Sequence, residues 1–122
     1  MMALFLTVIT TLCFSVILHE FLHWLVAVSL GYRPILKWIF FAPAICYPNQ
    51  QNHWHNLCIA GLAPLSLVVL GQFIPAYNLF SFLLKLFFLA NLFNLLPFTN
   101  DGEVILLSLY HIWRRTNEKK LD

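Results

Sequence analysis

Charged residues are scarce in this chain, and their scarcity excludes several classes of protein. Only 10% of the 122 residues are charged and 61% are hydrophobic, whereas a soluble domain has about 25% charged and about 45–50% apolar residues. Seven basic residues against five acidic ones leave a net charge of +2, which is too weak to attract nucleic acid. We therefore exclude a soluble globular protein, a disordered tail and a nucleic-acid binder, and expect a small integral membrane protein.

Cysteine is also too rare and too irregularly spaced to organise the fold. The chain has three cysteines and no C-x-x-C pair. An odd number of widely spaced thiols predicts no disulfide framework.

Long apolar runs supply the expected membrane helices. Residues 3–31, 54–75 and 79–97 are each long enough to cross a hydrocarbon core, which needs about 20 residues. Pro97 breaks the third span, and we expect the broken helix to continue over 103–114. The first span lacks Lys and Arg near its start, so we expect a retained helix and not a cleaved signal peptide.

The apolar segment at about residues 35–47 is too short and too rich in proline for a span. It predicts a hairpin or re-entrant segment. The fold class is thus an all-α polytopic membrane protein, a single domain over residues 1–122 with three to four helices.

Basic residues predict how the helices are oriented. Arg33 and Lys37 follow the first span, and a second basic group (Arg114, Arg115, Lys119, Lys120) follows the third. An odd number of crossings precedes each group, so both lie on one side of the membrane. The positive-inside rule makes that side cytoplasmic and leaves the N-terminus outside.

The first span contains a pattern typical of metal sites, His19-Glu20-Phe21-Leu22-His23. Residues four apart lie on one face of a helix, so both imidazoles can bind the same ion. Zinc binds imidazole well and makes a bound water acidic, and Glu20 can accept that water's proton. Ionisable groups are costly inside a membrane, which favours a functional role.

A catalytic zinc needs a third protein ligand. Asp101, beyond the break at Pro97, is the first candidate because unwound backbone there can direct its side chain inward. Glu103 is the next candidate. His53 and His55, in a polar loop at 49–56, are further alternatives, and His111 is expected at the membrane interface.

Two amides lie on one face of the third span. Asn91 and Asn94 are three residues apart. Such amides bind neighbouring helices or donate to a substrate carbonyl. We favour the second role for Asn94, which adjoins the break, and leave both open for Asn91.

These motifs together resemble the site-2 proteases, a family of intramembrane zinc metalloproteases. His19-Glu20-x-x-His23 with Ala27 and Gly31 is similar to the first signature of that family. Asn94-Leu95-Leu96-Pro97 followed by Asp101-Gly102 is similar to the second, although the interval from Pro97 to Asp101 is one residue shorter than usual. The likeness extends over about residues 10–105.

The resemblance implies an activity and a set of residue roles. His19, His23 and Asp101 would bind Zn²⁺, Glu20 would be the general base, and Asn94 would hold the substrate or stabilise its oxyanion. The substrate would be a membrane-embedded or membrane-tethered peptide, which the segment at 35–47 could hold by β-addition.

A minimal member of this kind would depend on a regulatory membrane partner or on homo-oligomers. The alternative is a non-catalytic metal-binding membrane subunit with the same ligands.

Overall fold

The protein is mostly helical, with one small β-sheet. A computed structural model describes residues 1–48 and 52–121, so residues 49–51 of the predicted polar loop lie outside the described part. In chain order the elements are helix α1 (Met2–Ser29), strands β1 (Ile35–Ile39) and β2 (Ala42–Cys46), helices α2 (His53–Phe73) and α3 (Leu79–Ala90), a short 3₁₀ helix (Asn91–Leu95) and helix α4 (Asn100–Leu121). The predicted helical architecture is confirmed, and the segment at 35–47 forms a hairpin, so the chain is not strictly all-α.

Three stretches are long and apolar enough to cross a membrane. They are Met2–Ser29, His53–Phe73 and the interrupted stretch Leu79–Leu121. Their large hydrophobic side chains point outward, as Phe5, Ile17 and Leu70 do. Such an arrangement suits lipid, which solvates apolar side chains as well as a protein core does.

Helix α1 buries a polar stripe and exposes its apolar residues. Its buried side chains recur every four residues, and they are Thr11, Ser15, His19, His23 and Ala27. This spacing places them in one row along the helix. The row faces the other helices and supplies both histidines of the predicted site.

The end of α1 reverses the chain toward the hairpin. Gly31 has a φ of +87°, the left-handed conformation in which glycine commonly ends a helix. Tyr32 then folds back, its N–H donating to the Ala27 carbonyl at 3.0 Å. Its side chain is buried against Ala27 and Ile59, in a cluster that joins α1 to α2.

Strands β1 and β2 pair antiparallel, with Ile35 opposite Cys46 and Ile39 opposite Ala42. The turn residues Phe40 and Phe41 both have positive φ, 48° and 66°. Two such residues make the tight turn whose twist matches a hairpin. Strand β2 lies against α1, and this contact brings the hairpin to the metal-binding motif.

The break after α3 differs from the prediction. The α-helix ends at Ala90, and α4 begins at Asn100 and not at residue 103. Thr99 acts as the N-cap, because its Oγ1 accepts from the Gly102 N–H at 3.1 Å. Asp101 therefore lies in the first turn of a helix and not in unwound backbone. Helix α4 also continues through the basic tail to Leu121.

Candidate metal centre

Helix α4 brings Asp101 against the two histidines of α1. Asp101 Oδ2 lies 3.0 Å from His19 Nε2 and 3.2 Å from His23 Nε2, and the two Nε2 atoms are 2.9 Å apart. Both histidines are buried, and the Asp101 side chain retains 24% of its exposure. Three potential ligand atoms, two from α1 and one from the distant α4, thus form a small triangle that could hold a metal ion.

With both rings neutral, protons alone do not satisfy this triangle. His23 Nδ1 lies 2.6 Å from the Ile59 carbonyl oxygen, which can only accept, so we assign the proton of the neutral ring to Nδ1. His23 Nε2 then presents a lone pair to Asp101 Oδ2, which is another acceptor. A proton on His19 Nε2 can be donated to His23 Nε2 and to Asp101 Oδ2. These two acceptors still face each other with no proton between them. A cation is attracted by all three atoms.

The size of the triangle fits a small divalent metal ion. In a tetrahedral site with bonds of about 2.0–2.1 Å, ligand atoms lie about 3.3–3.4 Å apart. The observed separations are 2.9, 3.0 and 3.2 Å. Two imidazoles and one carboxylate are also a donor set that suits zinc. The residues present therefore fit the metal that the sequence suggested.

Surrounding groups fix the orientation of two of the three side chains. The Ile59 carbonyl of α2 holds the His23 ring, in the manner of outer groups that orient metal-binding histidines. The Thr99 cap fixes the first turn of α4, from which Asp101 projects. His19 Nδ1 is buried and has no hydrogen-bond partner among the described residues.

Glu20 faces the same cavity as the triangle and touches the hairpin. Its Oε2 accepts a hydrogen bond from the Ile45 N–H of β2 at 3.1 Å. Since β2 pairs with β1 on one edge only, this contact lies on the other edge, toward α1. The sequence predicted Glu20 beside the histidines but gave no sign of its partner on the hairpin.

The two amides of the 3₁₀ helix form a chain of hydrogen bonds. Asn91 is buried, and its Nδ2 donates to the Phe87 carbonyl at 3.0 Å. Asn94 Nδ2 in turn donates to Asn91 Oδ1, also at 3.0 Å. Asn94 is only half-buried and lines the cavity. Asn91 therefore fixes Asn94 in place, while Asn94 retains a second N–H.

One cavity of about 750 Å³ contains all these groups. Its polar lining residues include Glu20, Asn94 and Asp101, and its apolar lining residues include Leu12 and Phe87. The hairpin closes part of it with Ile45 and its neighbours. This volume is of the size that receives a ligand or a short stretch of peptide.

The other residues considered as ligands lie elsewhere. His53 and His55 are in the first turn of α2 and not in a loop. The His53 ring stacks on His111 with centroids 4.5 Å apart, and His55 Nδ1 is 3.0 Å from the Tyr32 hydroxyl. Glu103 is exposed on α4. Within the described residues, Asp101 alone joins the two histidines in the group.

Tyr47 connects the end of the hairpin to α2 by a hydrogen bond. Its hydroxyl donates to Asn56 Oδ1 at 3.1 Å, and its ring meets Tyr32 edge-on. Burial raises the pKa of Tyr47 above its usual value of 10.0. The hydroxyl thus stays neutral and remains a donor at ordinary pH.

Comparison with protein-family models, curated proteins and solved structures finds no match to this chain. The candidate site is thus defined by its own geometry.

Proposed function

We propose that the protein is an intramembrane zinc metalloprotease of the site-2 protease type. The observation that carries the proposal is the triangle of His19, His23 and Asp101 with Glu20 facing the same cavity. Two metal-binding imidazoles, a carboxylate ligand and a second carboxylate that does not bind the metal are the groups that zinc-dependent peptide hydrolysis uses.

The membrane is part of the proposal. We infer a polytopic arrangement with the N-terminus outside and the basic tail in the cytoplasm. Tyr32, which follows the end of α1, contacts His55 at the start of α2, and His53 at the start of α2 stacks on His111 in the middle of α4. These contacts support the placement of both basic groups, the one after α1 and the one in α4, on the same side of the membrane.

The metal centre would then lie at membrane depth. His19 and His23 precede the end of α1 at Ser29 by about 15 and 9 Å, at 1.5 Å per residue. A site at this depth would act on peptide bonds within or beside a membrane span. The proposed substrate is therefore a membrane-embedded or membrane-tethered peptide.

The side chains divide the work of hydrolysis. When bound, zinc would supply Lewis acidity at the carbonyl group of the peptide bond to be cleaved. Glu20 accepts a proton from the attacking water as the water oxygen bonds to the carbonyl carbon. Glu20 then returns the proton to the amine as the C–N bond breaks. Asn94, held by Asn91, donates its second N–H to the carbonyl oxygen, where negative charge develops.

The hairpin would control the position of Glu20. The Ile45 N–H that now binds Glu20 lies on the free edge of β2, where an extended peptide could add as a further strand. The carbonyl of such a peptide would take the Ile45 N–H and leave the Glu20 carboxylate free to act as base.

The substitution Glu20→Gln tests this function. Glutamine keeps an oxygen for the Ile45 N–H but cannot carry the proton. We expect zinc content to stay at the wild-type level, while cleavage of a reconstituted transmembrane peptide falls by about 10²–10⁴-fold. Glu103→Gln, on the exposed face of α4, is the matched control and should leave both unchanged. Full zinc with no cleavage even in the wild type would favour a non-catalytic metal-binding subunit, and cleavage by Glu20→Gln would contradict the mechanism.

A further inference from the structure

A groove separate from the metal centre lies where helix α2 begins and helix α4 ends. Its volume is about 680 Å³. It shares no residue with the cavity that contains the metal-binding triangle. We call it the basic groove, and its main lining residues are His53 and Trp54 from α2 and Arg115, Thr116, Lys119 and Lys120 from α4.

Among the described residues, no acidic side chain balances the charge of the basic groove. Glu118, the nearest acidic residue on α4, is bound to Arg114 at 2.9 Å. Arg115, Lys119 and Lys120 have no ion-pair partner in the part of the chain that the structure describes. The N-terminus of α2 adds a partial positive charge at the same place. Three cations and a helix end therefore converge on a space to which the described residues contribute no anion.

Packing holds the two walls of the groove together. The His53 and His111 rings are nearly parallel, with an interplanar angle of 13°, and join the first turn of α2 to α4. The groove is thus formed by two connected helices and does not depend on one flexible tail.

The surroundings indicate a lipid as the source of the anion. Trp54 and Trp113 are 62% and 63% exposed beside the charges. Exposed tryptophans at the ends of membrane helices commonly lie at the level of the lipid headgroups. Lipid phosphates lie at that level too, and a predicted cytoplasmic position faces the leaflet richer in anionic lipid.

We propose that the basic groove binds the phosphate of an anionic phospholipid headgroup. Arg115 can donate two hydrogen bonds to one phosphate group, and Lys119 and Lys120 add compact positive charges. The acyl chains would extend over the apolar outer surface of α2 and α4. This inference requires the helices to be in a membrane but is independent of the metal centre and of any hydrolysis.

Native mass spectrometry and thermal melting of the purified full-length protein test the proposal. The probes are phosphatidylglycerol, phosphatidylcholine and inorganic phosphate, each added to the detergent-solubilised chain. The groove variant is Arg115→Gln/Lys119→Gln. Its matched control is Arg33→Gln/Lys37→Gln, which removes the same charge from exposed positions on the same predicted side but outside the groove. A normal melting profile without added lipid shows that each variant is folded.

We expect phosphatidylglycerol to bind the wild type in preference to phosphatidylcholine and to raise its melting temperature. Two lost cations near a lipid surface should weaken this binding by about tenfold or more in the groove variant, and the control should change by less than about twofold. An equal loss of phosphatidylglycerol binding in both variants would mean that the lipid is attracted by positive charge in general and not by the groove, and would overturn the proposal. So would an unaffected groove variant, or inorganic phosphate binding as tightly as the lipid. Should the double variant melt abnormally, Lys120→Gln alone provides the same comparison against Lys37→Gln.

Discussion

Replacing Gly102 by alanine should greatly weaken metal binding, although Gly102 is not a ligand. A Cβ at position 102 would lie 1.6 Å from the Leu96 carbonyl oxygen and 2.9 Å from Thr99 Oγ1. An ordinary carbon–oxygen contact is about 3.3 Å, so the first turn of α4 and the Leu96 peptide would have to move apart by about 1.5 Å or more. Asp101 is the residue before Gly102 and would move with that turn. Since metal–ligand distances tolerate only about 0.2 Å, we expect zinc affinity to fall by at least about 100-fold.

A second glycine in the same bundle provides the control. A Cβ at Gly61 on α2 would have Ile105 at 3.8 Å as its nearest neighbour, an ordinary contact. Gly61→Ala should therefore bind zinc within about twofold of the wild type, and it should be slightly more stable because alanine favours the helix. Titration of the purified metal-free variants with Zn²⁺ against a competing chelator measures both affinities. Wild-type affinity in Gly102→Ala would refute the placement of Asp101 by the start of α4.

Two further substitutions test the supports of the site. Asn91→Ala removes the acceptor for Asn94, so we expect a drop of about 10-fold or more in kcat with little change in KM or zinc content; an unchanged kcat would argue against a positioning role. Tyr47→Phe removes the hydrogen bond that ties the hairpin to α2 and should lower the free energy of unfolding by about 1 kcal/mol. The exposed Tyr77 offers the matched control, since Tyr77→Phe should change it by less than about 0.5 kcal/mol. Equal melting curves for the two tyrosine variants would exclude the anchoring contact.

Much of the helical fold could be predicted because long apolar helices have a strong sequence signal. Long apolar runs gave the helical stretches, and two histidines four apart gave one face of α1. The break at Pro97 was also foreseen, but the start of α4 was not. The expectation of unwound backbone around Asp101 misses the cap at Thr99, although threonine is a common N-cap. The predicted helical end at residue 114 is also too early, although Arg114 and Glu118 are spaced as a helical ion pair.

The contacts that orient the site could not be predicted because they come from the backbone. The Ile59 carbonyl that holds His23 and the Ile45 N–H that binds Glu20 are groups that every such residue carries. Residue type therefore gives no indication of either contact. Only the folded chain shows that α2 and the hairpin reach α1 at these two positions.

Metal analysis of three purified proteins tests the central claim most directly. The wild type should contain about one zinc per chain, and Glu103→Ala should match it because Glu103 is exposed outside the group. Asp101→Ala removes the atom that lies 3.0 and 3.2 Å from the two imidazoles and should lose most of the metal. Undiminished zinc in Asp101→Ala, or a loss confined to Glu103→Ala, would contradict the assignment of His19, His23 and Asp101 as the metal centre.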